Sequence, residues 1–239
     1  MKKMKIVITC EHGGNKIPKE YQQIFGPHKN LLASHRGYDI GALDLANTLY
    51  KKVGDYFFHS TTSRLLVELN RSLHHPKLFS VVTKPLDVKT KSLIKEKYYF
   101  PYLQSIDQTI SGLIADDFLV LHISAHSFTP SLDGKVRNAD IGILYDPRQV
   151  NEKTFSHLLK EKLRASTGLK VRLNYPYLGI ADGLPTRLRK EYNSSDYIGI
   201  ELEVNQQFLY KESCRRNEIQ KYIAEACGNA VNSFLSLEK

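Results

Sequence analysis

The stretch Phe118-Leu119-Val120-Leu121-His122-Ile123-Ser124-Ala125-His126 is apolar nearly throughout, and polar side chains gather only towards its end. A short apolar run of this kind reads as a buried strand, here Phe118–Ser124. Outward from it the same texture repeats. Further strands are expected at Lys5–Thr9, Tyr56–Ser60, Leu65–Leu69, Ile141–Tyr145, Lys170–Asn174 and Tyr197–Val204. Between them lie the helical patterns Ile40–Val53, Ser92–Ala115, Asn151–Ser166 and Ser213–Leu237. In the first of these, Leu43, Ala46, Tyr50 and Val53 recur at three- and four-residue spacing and share one face. Strand–helix alternation without a Pro/Gly/Ser-rich linker predicts one α/β domain over residues 1–239: a three-layer α/β/α arrangement around a mostly parallel or mixed sheet.

The composition narrows the class. Of 239 residues, 41% are hydrophobic and 25% charged, ordinary globular usage that excludes disordered and collagen-like chains. No apolar run approaches the roughly 18 residues that span a bilayer. The apolar stretch of the amino-terminal segment is cut short by Glu11 and His12, too soon for a secretory leader, so a soluble cytoplasmic chain is expected. Cys10, Cys214 and Cys227 form no C-x-x-C pair, which argues against a disulfide framework or zinc knuckle and for small buried side chains. The net charge of +9 comes from basic residues scattered along the chain, densest at Lys2–Lys5, Arg187–Lys190 and Arg215–Arg216. No nucleic-acid-binding motif surrounds them. No nucleic-acid partner is expected, and the positive field suits small anionic ligands.

In open α/β sheets, ligands bind outside the carboxyl ends of the strands, and the polar clusters of this sequence fall there. Cys10-Glu11-His12-Gly13-Gly14-Asn15 follows the first strand; its glycines permit a tight turn, with His12 either aimed into a crevice or solvated. His126 ends the apolar strand, while His122, inside it, reads as a hydrogen-bonded core residue. Glu201, Glu203 and Asn205 lie on one face of their strand, where buried carboxylates need a cation or a proton. Arg64, Asn70 and Arg71 offer a clamp for an anion, or ordinary surface pairing. Asp39 stands at the start of a helix, as N-cap or as a hard oxygen ligand. Together these describe a mononuclear zinc hydrolase, in which zinc takes three His and carboxylate ligands and activates water for attack on a carbonyl.

Glu11-His12-Gly13-Gly14-Asn15-Lys-Ile-Pro18, His35-Arg-Gly-Tyr-Asp39-Ile-Gly41-Ala42, Ser63-Arg64-Leu, Leu69-Asn70-Arg71 and Glu203-Val-Asn205 resemble, in order, the N-formylglutamate amidohydrolase family, and Asn174-Tyr-Pro176-Tyr177 with Asp182-Gly183 matches a further element. That family is similar to the zinc carboxypeptidases and the succinylglutamate desuccinylases. The resemblance implies a zinc-carboxypeptidase-like fold and one zinc per chain. It assigns His12 and His126 as metal ligands, Asn70 and Arg71 to the substrate carboxylate, Tyr177 to the substrate pocket and Glu203 as general base. The wider superfamily's glutamate ligand is replaced here by Asn15, so Asn15, Glu11 or Asp39 must complete the site, and Asp39 is the favoured candidate. Arg64 is expected to bind a second carboxylate or the oxyanion. The implied reaction is hydrolysis of N-formyl-L-glutamate to formate and L-glutamate. The alternatives are a carboxypeptidase-like deacylase acting on another anionic substrate, or a catalytically silent anion-binding protein.

Overall fold

The computed structural model describes residues 2–210 and 215–237. Its frame is a six-stranded sheet of β1 (Met4–Cys10), β2 (Tyr56–His59), β3 (Leu119–Phe128), β4 (Ile141–Leu144), β5 (Val171–Leu173) and β6 (Tyr197–Asn205), ordered β2-β1-β3-β6-β4-β5. Neighbours from β2 to β6 pair in parallel, β4 runs antiparallel to β6, and β5 is parallel to β4. Helices α1 (Ala42–Val53), α3 (Val150–Thr167) and α5 (Arg216–Leu237) bury their apolar sides on one face with Ile8, Ile123, Ile200 and Leu202. The other face is covered by α2 (Phe100–Ala115), α4 (Leu184–Leu188) and the segment around residues 65–82. Three layers and a mixed sheet result, as the alternation predicts.

Most expected elements lie within a few residues of their predicted bounds, and the differences are physical. Leu65–Leu69 is no strand. Leu66 N–H donates to Ser63 O and Leu65 N–H to Ser63 Oγ, a side-chain-directed turn that wins over extended backbone. Its leucines are buried all the same, packed with Tyr99 and Ile106. The buried stripe of α1 is Ala42, Leu45, Ala46 and Leu49, rotated from the predicted face; Tyr50 turns outward and stacks on Phe57 at 5.3 Å. Ser92–Ala115 begins earlier, at Val88, and passes through a π-helical turn at Lys95–Tyr99 into α2. The predicted start of the last helix at Ser213, like Cys214, lies outside the described residues; Cys10 and Cys227 are buried free thiols, as expected.

One face of the sheet changes character along its length. At the amino ends of the strands it is apolar, with Val7, Val120 and Tyr197 in the core beneath α2. One step further stands His122, fully buried, its Nε2 2.9 Å from Thr9 Oγ1 and its Nδ1 2.6 Å from the Tyr197 hydroxyl. Gly199 is its neighbour in β6, and a Cβ there would meet the Tyr197 ring at 2.7 Å, so only glycine leaves the ring room to reach His122. Beyond this joint come Ser124 beside Glu201, then His126 beside Glu203. Register and side-chain alternation therefore carry the core directly into a polar cleft.

Burial, helped by the charges of Arg189 and Arg187 and opposed by Glu11, pushes the His122 imidazole down to about 4. In the unfolded chain it titrates near 6.5. Between these values the unfolded state binds the extra proton, so this contribution to stability is complete above about pH 6.5 and is lost as pH falls to about 4. The expected loss is on the order of 3 kcal/mol. Urea unfolding across that range should show His122→Gln falling less steeply than the parent; parallel curves would exclude His122 as the titrating group.

Candidate active site

Three chain segments meet at the carboxyl ends of β1, β3 and β6. His12 follows β1 directly. The chain turns there as the sequence predicts, and the glycines behind His12 need no left-handed backbone. They let it run against the next segment: a Cβ on Gly13 would meet Ser60 O at 2.9 Å and one on Gly14 would meet Thr61 O at 2.6 Å. Lys16 N–H then donates to Thr61 O, fixing the loop. His126 sits within β3, which runs past the predicted end at Ser124 to Phe128. Asp39 precedes α1 but does not cap it, because the N-cap position belongs to Gly41. Its carboxylate turns inward instead.

Asp39 Oδ2 lies 3.2 Å from His12 Nδ1 and 2.9 Å from His126 Nδ1. Both imidazoles and the carboxylate are buried, and the three donor atoms lie within 4.8 Å of one another. The far nitrogen of each ring is also held. His12 Nε2 meets Glu68 Oε1, while His126 Nε2 lies 2.8 Å from Ser124 Oγ and 3.1 Å from Glu11 Oε2. Ser124 donates its own proton to Glu11 at 2.6 Å, so it accepts from His126, and Tyr102 donates to the other Glu11 oxygen at 3.1 Å. Glu68 is braced by Arg64 Nε at 2.7 Å, and Arg64 Nη1 reaches Asp39 Oδ1 at 3.2 Å. Burial raises the carboxyl pKa of Glu68 and Glu11. The charge of Arg64 and then His12 beside the first, and the His126 hydrogen bond beside the second, outweigh it and hold both well below the usual range.

This arrangement tests whether a metal suits the residues present. A neutral imidazole has one N–H and one lone pair. With Nε2–H committed on each ring, the Nδ1 lone pairs and an Asp39 oxygen converge on one point, which only protons or a cation can reconcile. Two imidazoles and a carboxylate are a catalytic zinc donor set, and tetrahedral bonds of about 2.0–2.1 Å would spread the donors to roughly 3.3 Å, close to the spacings above. The residues fit a zinc ion. Glu11 and Asn15 are engaged elsewhere: Glu11 stands behind His126, and Asn15 Nδ2 donates to Leu32 O. From the sequence, Glu11 is weighed only as a ligand, and Glu68, which lies between the Ser63-Arg64 and Leu69-Asn70-Arg71 motifs, is given no role. The nearest signal is their place in or between those motifs.

A cavity of about 190 Å³ opens over this cluster and includes every expected site residue: His12, Asp39, Arg64, Asn70, Arg71, His126, Tyr177 and Glu203. Drug-sized pockets run to roughly 300–1,000 Å³, so this one suits a small ligand. Glu203 Oε2 is buried with no hydrogen-bond partner among the described residues. Burial first, then the nearby charges of Asp39 and Glu201, push its carboxyl up to about 7 against the opposing pull of His126. Asn70 Oδ1 accepts from Leu184 N–H at 2.6 Å, Ser72 N–H donates to Asp182 at 2.9 Å, and Arg71 Nη1 donates to Asn70 O and Asp182 O. The clamp segment and the 174–184 loop are thereby tied together. Tyr177, on that loop, is 46% exposed at the mouth.

The family model for N-formylglutamate amidohydrolase matches residues 4–210. Among solved structures, a gene product from Agrobacterium tumefaciens is similar with a TM-score of 0.82 and 24% identity, over 98% of this chain and 92% of that one. The N-formylglutamate amidohydrolase from Ralstonia eutropha JMP134 gives 0.72 and 16%, over 99% and 96%. No curated protein matches in sequence.

Removing a carboxylate that orients a metal-ligating histidine typically costs 10–100-fold in metal affinity. Glu68→Gln should weaken zinc binding by about that factor in a competition titration with a chromophoric chelator. An unchanged affinity would show that Glu68 does not orient His12 for metal.

Proposed function

The chain belongs to the N-formylglutamate amidohydrolase family, hydrolases of an amide C–N bond, and from that premise we propose that it removes the acyl group from a small anionic N-acyl amino acid. N-formyl-L-glutamate is the first candidate, with formate and L-glutamate as products. The observation that carries this reading is the buried, unpartnered oxygen of Glu203 beside His126, facing a small cavity that also holds Arg71.

His12, Asp39 and His126 would hold a zinc ion, which when bound supplies Lewis acidity to the scissile carbonyl and lowers the pKa of water towards about 7. Glu203 Oε2 takes the proton of the attacking water and later delivers it to the leaving nitrogen. Its isolation suits that role, since no competing donor holds the oxygen in place. Arg71 and Asn70 receive a substrate carboxylate; Arg71 keeps a free edge of its fork, while Asn70 orients the loop beneath. Arg64 spends three of its five N–H groups on Glu68 and Asp39. That leaves it unable to neutralise a second carboxylate but able to donate to the carbonyl oxygen as negative charge develops there. Tyr177 closes the mouth.

One observation favours a second reading, deacylation of a different N-acyl amino acid. The carboxylates of Asp39 and Glu68 neutralise Arg64, so within the cavity Arg71 alone remains for substrate charge. A panel of N-acyl amino acids and short peptides distinguishes the two.

Formate release from N-formyl-L-glutamate should fall about 10²–10⁴-fold in Glu203→Gln with bound zinc retained, the usual cost of losing a general base. His126→Ala should instead lose the zinc itself, read by elemental analysis as about one ion per chain in the parent and none in the variant. Full activity in Glu203→Gln would remove the mechanism, and absence of zinc from both, with none taken up on titration, would remove the metal site.

A further inference from the structure

An N-acyl dicarboxylic amino acid brings two carboxylates, and the cavity neutralises only one. Arg71 remains for it, whereas Arg64 already faces two carboxylates. A second cation stands at the rim. Arg137 follows a short hairpin, Ser131–Leu132 paired with Lys135–Val136, that leaves the end of β3. Its backbone N–H donates to Pro130 O, which anchors the hairpin's exit. Its guanidinium lies 5.1 Å above the ring of Tyr177 and 5.7 Å from that of Phe128. Nη2 donates to the Tyr177 hydroxyl at 2.8 Å. Tyr177 lines the cavity, as does Ser127 next to Phe128.

Its seat on a cavity-lining tyrosine separates Arg137 from Arg172, which lies over Tyr175, a residue outside that lining. No carboxylate pairs with Arg137 among the described residues, unlike Arg64, Arg148, Arg187, Arg189 and Arg216. Stacking on an aromatic face restricts the planar guanidinium and leaves its in-plane N–H edge for a bidentate acceptor. Other cations lie near it: burial and then the charges of Arg137, Arg36 and Arg64 hold the His35 imidazole below its usual pKa. An anion reaching the mouth therefore meets an uncompensated positive charge already oriented.

We infer that Arg137, seated on Tyr177 at the mouth of the cavity, is a specificity-determining residue that binds the second carboxylate of a dicarboxylic N-acyl amino acid by a bidentate contact. This rests on the deacylase reading and deepens it. It gives the second carboxylate of that reading's substrate its own cation, and Tyr177 a definite task, the platform that carries the arginine. The scissile amide lies at the His12–Asp39–His126 cluster, the first carboxylate at Arg71, and the distal one at the rim.

The test compares kcat/KM for N-formyl-L-glutamate and its neutral isostere N-formyl-L-glutamine in the parent, Arg137→Gln, Arg137→Lys and Arg36→Gln. The parent should prefer the charged substrate. Arg137→Gln should raise KM for N-formyl-L-glutamate about 10–100-fold with kcat nearly unchanged, the scale of a lost charge-assisted pair. It should barely affect the glutamine analogue, so the preference collapses. Arg137→Lys should restore part of it, and Arg36→Gln should leave it intact. If the parent hydrolyses both substrates but its preference is absent, or survives Arg137→Gln, or depends on Arg36, the inference falls and the deacylase reading stands. If the parent hydrolyses neither substrate, N-formyl-L-glutamate is excluded as substrate and the inference falls with it, while deacylation of a different N-acyl amino acid stands to be tested on the wider panel.

Discussion

A carboxylate oxygen lodged between two buried imidazoles sets the terms for everything around it. Asp39 Oδ2 faces the Nδ1 atoms of His12 and His126 inside the protein, where an unmatched charge or lone pair costs several kcal/mol. Each neighbour answers part of that demand. Arg64 bridges Asp39 and Glu68; Glu68 takes the far nitrogen of His12; Ser124 and Glu11 take that of His126. Burial lowers the pKa of both imidazoles and Arg64 lowers that of His12 further. The surrounding carboxylates outweigh this and hold both above the usual value. A dication held by the same three residues would replace those protons with a single charge centre.

The sheet makes such a cluster possible by grading one of its faces. Apolar side chains at the amino ends of β1, β3 and β6 anchor the strands under α2, and the same residue alternation brings polar groups to that face two and four residues later. His122 is the joint, satisfied on both nitrogens by Thr9 and Tyr197. Above it, rigid strands fix His126 beside Glu203, while loops supply His12, Asp39 and the clamp. The loops are in turn stitched to one another: Asn70 to Leu184, Ser72 to Asp182, and Arg71 O accepting from Tyr99 just where the π-helical turn gives way to α2. Strand residues set the reacting geometry, and loop residues set what reaches it.

How much of this could be read from the sequence follows from the same division. Buried strands announce themselves as apolar runs, so His12, His126 and Glu203 are legible as polar residues at or near strand ends; Arg71 is legible only through its motif, since the strand expected before it is a turn, and all four lie around one cavity. The rest is decided where side chains override local pattern. Leu65–Leu69 has strand composition but obeys Ser63. Asp39, open between cap and ligand by its position and favoured as ligand by its motif, spends its carboxylate on two histidines rather than on the helix. Glu11, the alternative to Asp39, lies instead at Nε2 of His126, and telling the two apart requires knowing which nitrogen of His126 faces which carboxylate. Sequence spacing carries no information about ring orientation.

Charge completes the account. The chain is strongly basic, yet many cations of its sequence clusters are matched by acids: Lys2 by Asp196 and Asp117, Lys5 by Asp55, Arg187 by Asp107 and Glu191, Arg189 by Glu152, Arg216 by Asp44. Such pairs add little net field at a distance, since each cation is matched within a few ångströms. The cleft is different. Its carboxylates are mostly engaged by histidines, Arg64 and hydroxyl donors, so an approaching anion meets largely compensated acids below and cations at Arg71 and the rim. A site rich in acidic residues is thereby open to an acidic substrate, because what an incoming charge experiences is the balance left after internal pairing rather than the count of carboxylates in the wall.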